Sequence, residues 1–492
     1  MPNAVRSRSA LLVLACLLIA AVPLFYQLTD PAIFIWDEAI YANNALEMAL
    51  DGDPIVLKNN GAPSLYNTKP PLVIWLQALS IQLLGPGELA IRLPSALAAL
   101  LTVLLLLLFA HRTLGDLRVG IVATLVLVTT AGYVRNHVAR SGDLDAVLIF
   151  WIVAYSLLAF HYLLKDPPRY RTYFNWMGLG LVAAFLSKSV AGWMPLLGLA
   201  GAALVAGRLG SILKKSHFYS VAFGVLGLAV GYYLWRESLG AGYWDKVFFS
   251  EFQRLTENIM PWHERPFGFY ATNMWERQFF TPHVYLLLPA LLLAAWRPGE
   301  WRTLSGMLLV FCLAYFLLIS YPPVKLEWYA APLYPFLALL IGMGWCRALD
   351  LGRQRLPGAR AWRQVLFYLS LIGFFSLPYY QTLQRIRTTG AVDPLEREGQ
   401  AIRHWRAVMP ELKSYRVLMS TPHPEHLDQL NFYRKAVNHW EGGNLRHVGQ
   451  HAELVLGDTV LCCQRKNLDS LRLRFRVEEW RELGDCKLWK LR

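Results

Sequence analysis

Eleven apolar runs spread along the whole chain dictate what it can fold into. They lie near 11–28, 90–110, 119–134, 146–164, 173–187, 190–206, 218–236, 282–295, 305–321, 330–346 and 364–380. A helix of roughly 20 apolar residues crosses the hydrocarbon core of a bilayer, and only a helix or a closed barrel satisfies its own backbone there. Only 17% of the residues are charged and 55% are hydrophobic, against about 25% charged in soluble domains. The fold class expected is mainly α: a polytopic transmembrane helical bundle of about eleven spans. The start mimics a signal peptide, with Arg6 and Arg8 before an apolar run and "VLAC" at Val13–Cys16. The run continues past Cys16, so an uncleaved first span is expected.

The formal net charge is +14. In a soluble protein this would suggest nucleic acid. In a membrane protein its distribution matters more, because Lys and Arg concentrate in cytoplasmic loops. One set of alternate loops carries Arg6 and Arg8, Arg112 and Arg118, Lys165, Arg169 and Arg171, Arg208, Lys214 and Lys215, Arg297 and Arg302, and the arginines from Arg347 to Arg363. That side is read as cytoplasmic. The opposite, outer side receives a long first loop (29–89), the "RNHVARSGDLDA" loop, the tight "LSKSVAGW" turn, a long loop at 237–281 and "YPPVKLEWYAAPLYP". An odd number of spans puts the C-terminal tail there too. From about Asp393 the composition becomes that of a soluble α/β domain, with "YRVLMS", "TVLCCQ" and "CKLWKL" as strands and "PEHLDQLNFYRK" and "KNLDSLRLRF" as helices. Two domains follow, 1–392 in the membrane and 393–492 outside. Outside the cytoplasm, Cys486 would pair with Cys462 or Cys463. No cysteine spacing suggests zinc, and no nucleic-acid motif is present.

Several cations run against the charge rule on the outer side: Lys69, Arg135, Arg140, Lys188 and Lys325, with His263 and Arg277 further out. A cation pinned at the membrane edge is unfavourable unless it meets water or an anion. A lipid-linked phosphate is such an anion, because ammonium and guanidinium groups pair strongly with its oxygens. Carboxylates sit on the same side at Asp37 and Glu38, behind Trp36. One of them would take a proton from an attacking hydroxyl, while the phosphate leaves once cations balance its charge.

These residues carry a resemblance. The stretch from "WDEAIYANNALEMALDGDPIVLKNN" through "NTKPPLVIWLQALS", then "HVARSGDLDAVLIFW", "FLSKSVAGWMPLL", "HERPFGFY" and "KLEWYAAPLYPFLALLIG", resembles in order the membrane region of the glycosyltransferase C superfamily. It is most similar to the family of protein O-mannosyltransferases and the lipid A aminoarabinose transferase. The resemblance implies an inverting transfer of one sugar from a polyprenyl-phosphate donor, with no cofactor and, in several members, no metal. It implies Asp37 as general base on the acceptor and Glu38 as its acidic neighbour. Lys69, Lys188 and Lys325 would lie near the donor phosphate, with Arg140 a further cation. Asp143 or Asp145 would organise the site beside Glu327, an extra acid. His263 and Tyr270 would lie in a substrate loop. "SKSV" replaces the "TKGP" common in relatives, so the turn after Lys188 differs.

Plainer readings exist for each group. Asp37 and Glu38 would cap a helix, Arg140 and Asp143 would form a local ion pair, and Asp51 and Asp53 would serve a turn. A transporter or flippase of a lipid-linked sugar would also want outer cations, but would place polar groups near the bilayer midplane and show internal repeats. A non-catalytic envelope protein that binds polyprenyl lipid is a third reading. The expectation adopted is a multi-pass inner-membrane glycosyltransferase. It would act on an envelope glycan, lipid or protein at the non-cytoplasmic face, with the N-terminus cytoplasmic and the membrane lipid as its surroundings.

Overall fold

A computed structural model describes residues 2–65, 67–135, 137–253, 256–257, 260–279, 283–354, 360–388, 396–419 and 424–492. The expected domain boundary at 392/393 lies outside them. A helix stands at each of the eleven expected positions. Seven of these are long and apolar enough to cross a membrane, and an eighth results if the bent pair Phe269–Gln278 and His283–Ala295 is one span. Leu117–Val128 and Leu196–Val205 have 12 and 10 residues. At a rise of about 1.5 Å per residue, neither reaches across a core of roughly 30 Å alone. The chain is an integral, multi-pass membrane protein.

The bundle is arranged by its own loops. Asp145–Lys165 packs between Tyr170–Lys188 and Glu88–Arg112, and Tyr334–Gln354 packs on Leu117–Val128 and His283–Ala295. Where helices meet closely, small residues make room: Gly344 lies against the backbone of Ala290, and Gly342 against Val119. At one end, Lys165 binds Glu300, Arg208 binds Asp166, and Arg118 binds both Asp116 and Asp350. These pairs gather loops that the charge rule assigns to one side.

At the other end the chain leaves the first helix (Pro2–Phe25) and turns into a second helix, Asp37–Asp51. Its Gly52 takes the left-handed conformation, φ 75°, that closes a helix without a Cβ clash. Asp53 then accepts from the backbone of Ile55 and Val56, the turn expected of it. A short hairpin follows, β1 (Lys58–Asn59) and β2 (Ala62–Pro63).

The tail forms a five-stranded sheet: β3 (Ser414–Leu418), β4 (Asn444–Val448), β5 (Thr459–Cys462), β6 (Val477–Leu483) and β7 (Cys486–Leu491). The order is β4-β3-β5-β7-β6, parallel across β4-β3-β5 and antiparallel beyond. Helices Pro424–Lys435 and Arg465–Arg474 occupy the expected places. Strands β4 and β6 were not expected; "NLRHV" and "VEEWREL" are too rich in charge to read as apolar alternation. Cys463 is the partner of Cys486, and Cys462 is a free, buried thiol.

The sheet domain does not hang free. Helix Pro424–Lys435 lies on helix Asp37–Asp51 and shares its apolar core. Lys435 Nζ donates to Asn43 Oδ1 at 2.8 Å and pairs with Glu47, both buried. Gln429 reaches the carbonyl of Ile33, and Tyr433 accepts from the Ile33 N–H.

Candidate active site

Among the described residues, the most sequestered ion pair stands directly behind Asp37. Glu38 and Arg92 are both fully buried, and Arg92 grips the two oxygens of Glu38 at 2.8 Å each. Glu38 also accepts from the backbone N–H of Phe34 and of Gly142, each at 2.7 Å. The remaining guanidinium donors go to the carbonyls of Leu28, Pro31 and Ala32. Gly142 is required by this approach: a Cβ there would stand 2.3 Å from Ile91 and 3.3 Å from Glu38. Glu38 therefore belongs to the scaffold rather than to a reacting pair, because its oxygens are already filled with donors. It ties the first outer loop, the second span and the second outer loop together.

Asp37, one residue away, faces a different environment. It is half-buried and has no hydrogen-bond partner among the described residues. Its carboxylate, a ring nitrogen of His137 and a carboxylate oxygen of Asp143 lie within 4.8 Å of one another. Burial, reinforced by the Asp143 charge, lifts the Asp37 carboxyl to about 6; His137 and Lys188 pull the other way. His137 is held protonated up to about 9, since its desolvation is outweighed by Asp143 and Asp37. Asp143 is held below the usual carboxylate range against its burial by His137 and by the Ser141 hydroxyl. The His137 ring stacks on Trp328, centroids 3.9 Å apart. This spacing also suits a divalent cation, which would require His137 to give up its proton.

Lys188 comes to the same place as the last residue of helix Tyr170–Lys188. Its Nζ donates to both oxygens of Asp145, at 2.8 and 2.6 Å, beneath the Tyr329 ring. Three of the six non-glycine residues with positive φ among the described residues border this cluster: Trp36 before Asp37, His137 itself, and Ser189 after Lys188. Each costs about 1–3 kcal/mol, and such residues concentrate at functional sites. Beside the cluster opens a cavity of about 260 Å³ lined by Gly132, Arg135, His137, Gln278, Glu327 and Trp328. Glu327 accepts from Gln278 at 2.6 Å and lies 3.7 Å from Arg135 and 4.0 Å from Arg277.

The other expected residues are distributed differently. Lys69 is paired with the buried Glu251 of the long fourth outer loop. That loop is tied to its neighbour Thr68 through Ser250 and the Tyr243 hydroxyl. Arg140 is engaged by backbone: it donates to the carbonyls of Pro23, Leu24 and Gln27 at the end of the first helix. Lys325 is buried and donates to the carbonyls of Arg265 and Pro322; desolvation lowers its ammonium. It fastens the long loop where Glu264 bridges Val324. His263 lies on that strap, its carbonyl accepting from the Lys325 N–H. Tyr270 is fully buried and donates to the carbonyl of Leu326, so it anchors the loop from within. His137, Arg92, Glu251 and Gln278 were not singled out from the sequence. The signal for His137 was present, a histidine two residues past Arg135 in a short charged loop; the others required knowing which stretches meet.

Comparison with known proteins follows this geometry. Residues 68–235 match the family model described as dolichyl-phosphate-mannose-protein mannosyltransferase. A Pseudomonas fluorescens protein named undecaprenyl phosphate-alpha-4-amino-4-deoxy-L-arabinose arabinosyl transferase 1 is 30% identical over 377 residues, 74% of this chain and 65% of its own length. The crystal structure of ArnT from Cupriavidus metallidurans bound to undecaprenyl phosphate superimposes with a TM-score of 0.63 at 17% identity, covering 98% of this chain and 97% of that one. The chain has the fold of ArnT. A more distant member of the same fold, the archaeal oligosaccharyltransferase AglB from Archaeoglobus fulgidus, matches with a TM-score of 0.52 at 14% identity over 85% of this chain and 63% of its own. The chain spans 60% to 65% of the length of the first curated relatives it matches.

Proposed function

We propose that this chain is an inverting membrane glycosyltransferase that moves one sugar from a polyprenyl-phosphate donor to a hydroxyl or phosphate of an envelope glycan, lipid or protein. The site would face the non-cytoplasmic side, a reading supported by the Lys and Arg asymmetry of the loops. The observation that carries the reading is Asp37: a half-buried carboxylate with no hydrogen bond among the described residues, raised to about 6, beside the cations His137 and Lys188. A carboxylate so poised accepts a proton near neutrality. As the acceptor oxygen forms its bond to the anomeric carbon, its proton passes to Asp37. The bond from that carbon to the phosphate oxygen breaks, and polyprenyl phosphate leaves with the electron pair. Lys188 spends two of its three N–H donors on Asp145 and keeps the third for a phosphate oxygen. Arg135, at the cavity and 3.7 Å from Glu327, supplies further positive charge, while Lys69 is engaged by Glu251. The undecaprenyl phosphate in the solved ArnT relative supports the donor class.

The test is transfer from synthetic undecaprenyl-phosphate sugars by the detergent-purified chain. Asp37→Asn should abolish transfer while donor binding persists. An active Asp37→Asn protein removes the base assignment, and absence of transfer from every polyprenyl-phosphate sugar overturns the reading.

A further inference from the structure

The cavity beside the Asp37 cluster carries more positive than negative charge on its walls. Glu327 is the one acid among its lining residues. Its Oε2 accepts from Gln278 Nε2 at 2.6 Å, with Arg135 3.7 Å away. Arg277 lies 4.0 Å from Oε1, outside hydrogen-bond range. Oε1 therefore accepts no hydrogen bond among the described residues, and the side chain is 38% exposed. One carboxylate faces two guanidiniums and an amide N–H, so its charge is more than balanced. His137, the remaining charged lining residue besides Arg135, is held protonated and paired with Asp143.

The rest of the wall suits a single sugar ring. The volume of about 260 Å³ lies just below the range of roughly 300–1,000 Å³ for drug-sized ligands. Trp328, whose ring stacks on His137, supplies an aromatic wall for the C–H face of a sugar. Gln278 is 4% exposed yet lines the cavity, and its Oε1 accepts from no described residue. Gly132 makes room for that oxygen: a Cβ there would stand 2.7 Å from it. A carboxylate oxygen, an amide oxygen and guanidinium N–H groups together accept from and donate to sugar hydroxyls. His137 belongs to the Asp37 cluster as well, its ring nitrogen within 4.8 Å of the Asp37 carboxylate. A sugar in the cavity therefore lies one side chain from the proposed base. An ammonium group fares differently there from a hydroxyl. Hydrogen-bonded to Oε1 at about 3 Å, it would lie no more than about 7 Å from Arg277, which is 4.0 Å from the same oxygen, with Arg135 beside the other. That is inside the Debye length of about 8 Å at physiological salt, and like charges at this range oppose each other. A hydroxyl meets the same acceptor with no such repulsion.

We infer that this cavity holds the transferred sugar, that the sugar carries hydroxyls and no ammonium group, and that Glu327, Arg135 and Arg277 make that selection. That the sugar arrives on polyprenyl phosphate rests on the proposed function. It differs from the 4-amino-4-deoxy-L-arabinose in the name of the Pseudomonas fluorescens relative.

Binding of matched synthetic donors to the full chain in detergent tests the inference. Undecaprenyl-phosphate glucose and undecaprenyl-phosphate arabinose are each compared with the 4-amino-4-deoxy counterpart, with undecaprenyl phosphate as the sugar-free reference. In at least one pair the hydroxyl donor should bind about tenfold more tightly than its amino counterpart. The double variant Arg135→Gln, Arg277→Gln should shrink that ratio several-fold, because Glu327 then meets the ammonium without opposition. Glu327→Gln should widen it, because the ammonium then meets the guanidiniums alone. Each ratio is taken within one variant, which keeps folding out of the comparison. Equal or tighter binding of the amino donor in both pairs overturns the inference. So do sugar donors that bind no better than undecaprenyl phosphate, and ratios that stay fixed or move together in the two variants. Transfer is read separately. A preference for the hydroxyl donor in binding, with no transfer from any donor, removes the transferase reading and leaves the selection standing. Transfer that favours the amino donor overturns the selection and keeps the transferase reading.

Discussion

Arg92 holds both oxygens of Glu38 at 2.8 Å, and neither side chain is exposed. Removing one partner of such a pair strands a buried charge, at a cost of about 3–5 kcal/mol. Glu38→Gln and Arg92→Met should therefore unfold at markedly lower temperature in detergent, and lose activity in step with folded protein. Asp37→Asn, one residue away, should unfold near the wild-type temperature with no transfer. Equal midpoints for Glu38→Gln and wild type would show that the pair does not hold the loops together.

The raised carboxyl of Asp37 sets a pH dependence. A base must be ionised, and Asp37 is half-protonated near 6. Transfer should level off above about pH 7 and fall roughly tenfold for each unit below about 6. The sign for stability is opposite to that of an ordinary salt-bridged carboxylate. Because the folded-state value lies above the unfolded one, Asp37 stabilises the fold most when protonated, and this contribution declines as pH rises through about 6. A rate profile flat from pH 5 to 8 would remove Asp37 from the proton transfer.

Lys435 and Glu47 join the sheet domain to the helix that begins at Asp37, and Glu47 also accepts from the backbone of Asn60 and Gly61. Lys435→Met should destabilise by about 3 kcal/mol, as should Glu47→Gln. The double variant should cost clearly less than the sum, since the two act on one interaction. Additive losses measured by denaturation would mean that the two residues act separately. Loosening this junction should lower kcat more than donor affinity, because it is the Asp37 helix that moves.

Much of the bundle was legible because its cause is local. Each run of apolar residues commits itself to a helix whatever its neighbours do, and charge in the connecting loops marks which ends share a side. The parallel strand β3 was legible as "YRVLMS" for the same reason. The site was legible only by residue type. Glu38 and Asp37 are adjacent and chemically alike in sequence; what separates them is Arg92, 54 positions along the chain. Lys325 and Arg140 read as free cations because nothing in their neighbourhood shows that carbonyls of Arg265, Pro322 or the first helix end will claim them. Such assignments depend on which distant backbones meet, and hydropathy carries no record of that.

His137 decides where the pH limb falls. Its imidazolium lies between Asp37 and Asp143, favouring the ionised form of both. His137→Gln removes that positive charge and leaves Asp143 to repel Asp37 alone, so the Asp37 carboxyl should rise further. The acid limb of the transfer profile should then move up by about one unit, with activity at high pH less affected than activity near pH 6. Asp143→Asn should move the limb the other way, because it removes the negative charge that helps to lift Asp37. A residue that merely packed against Trp328 would lower the whole profile without moving its midpoint. Rate profiles of both variants from pH 5 to 9 separate the two cases, and limbs that shift in the same direction would contradict the electrostatic account.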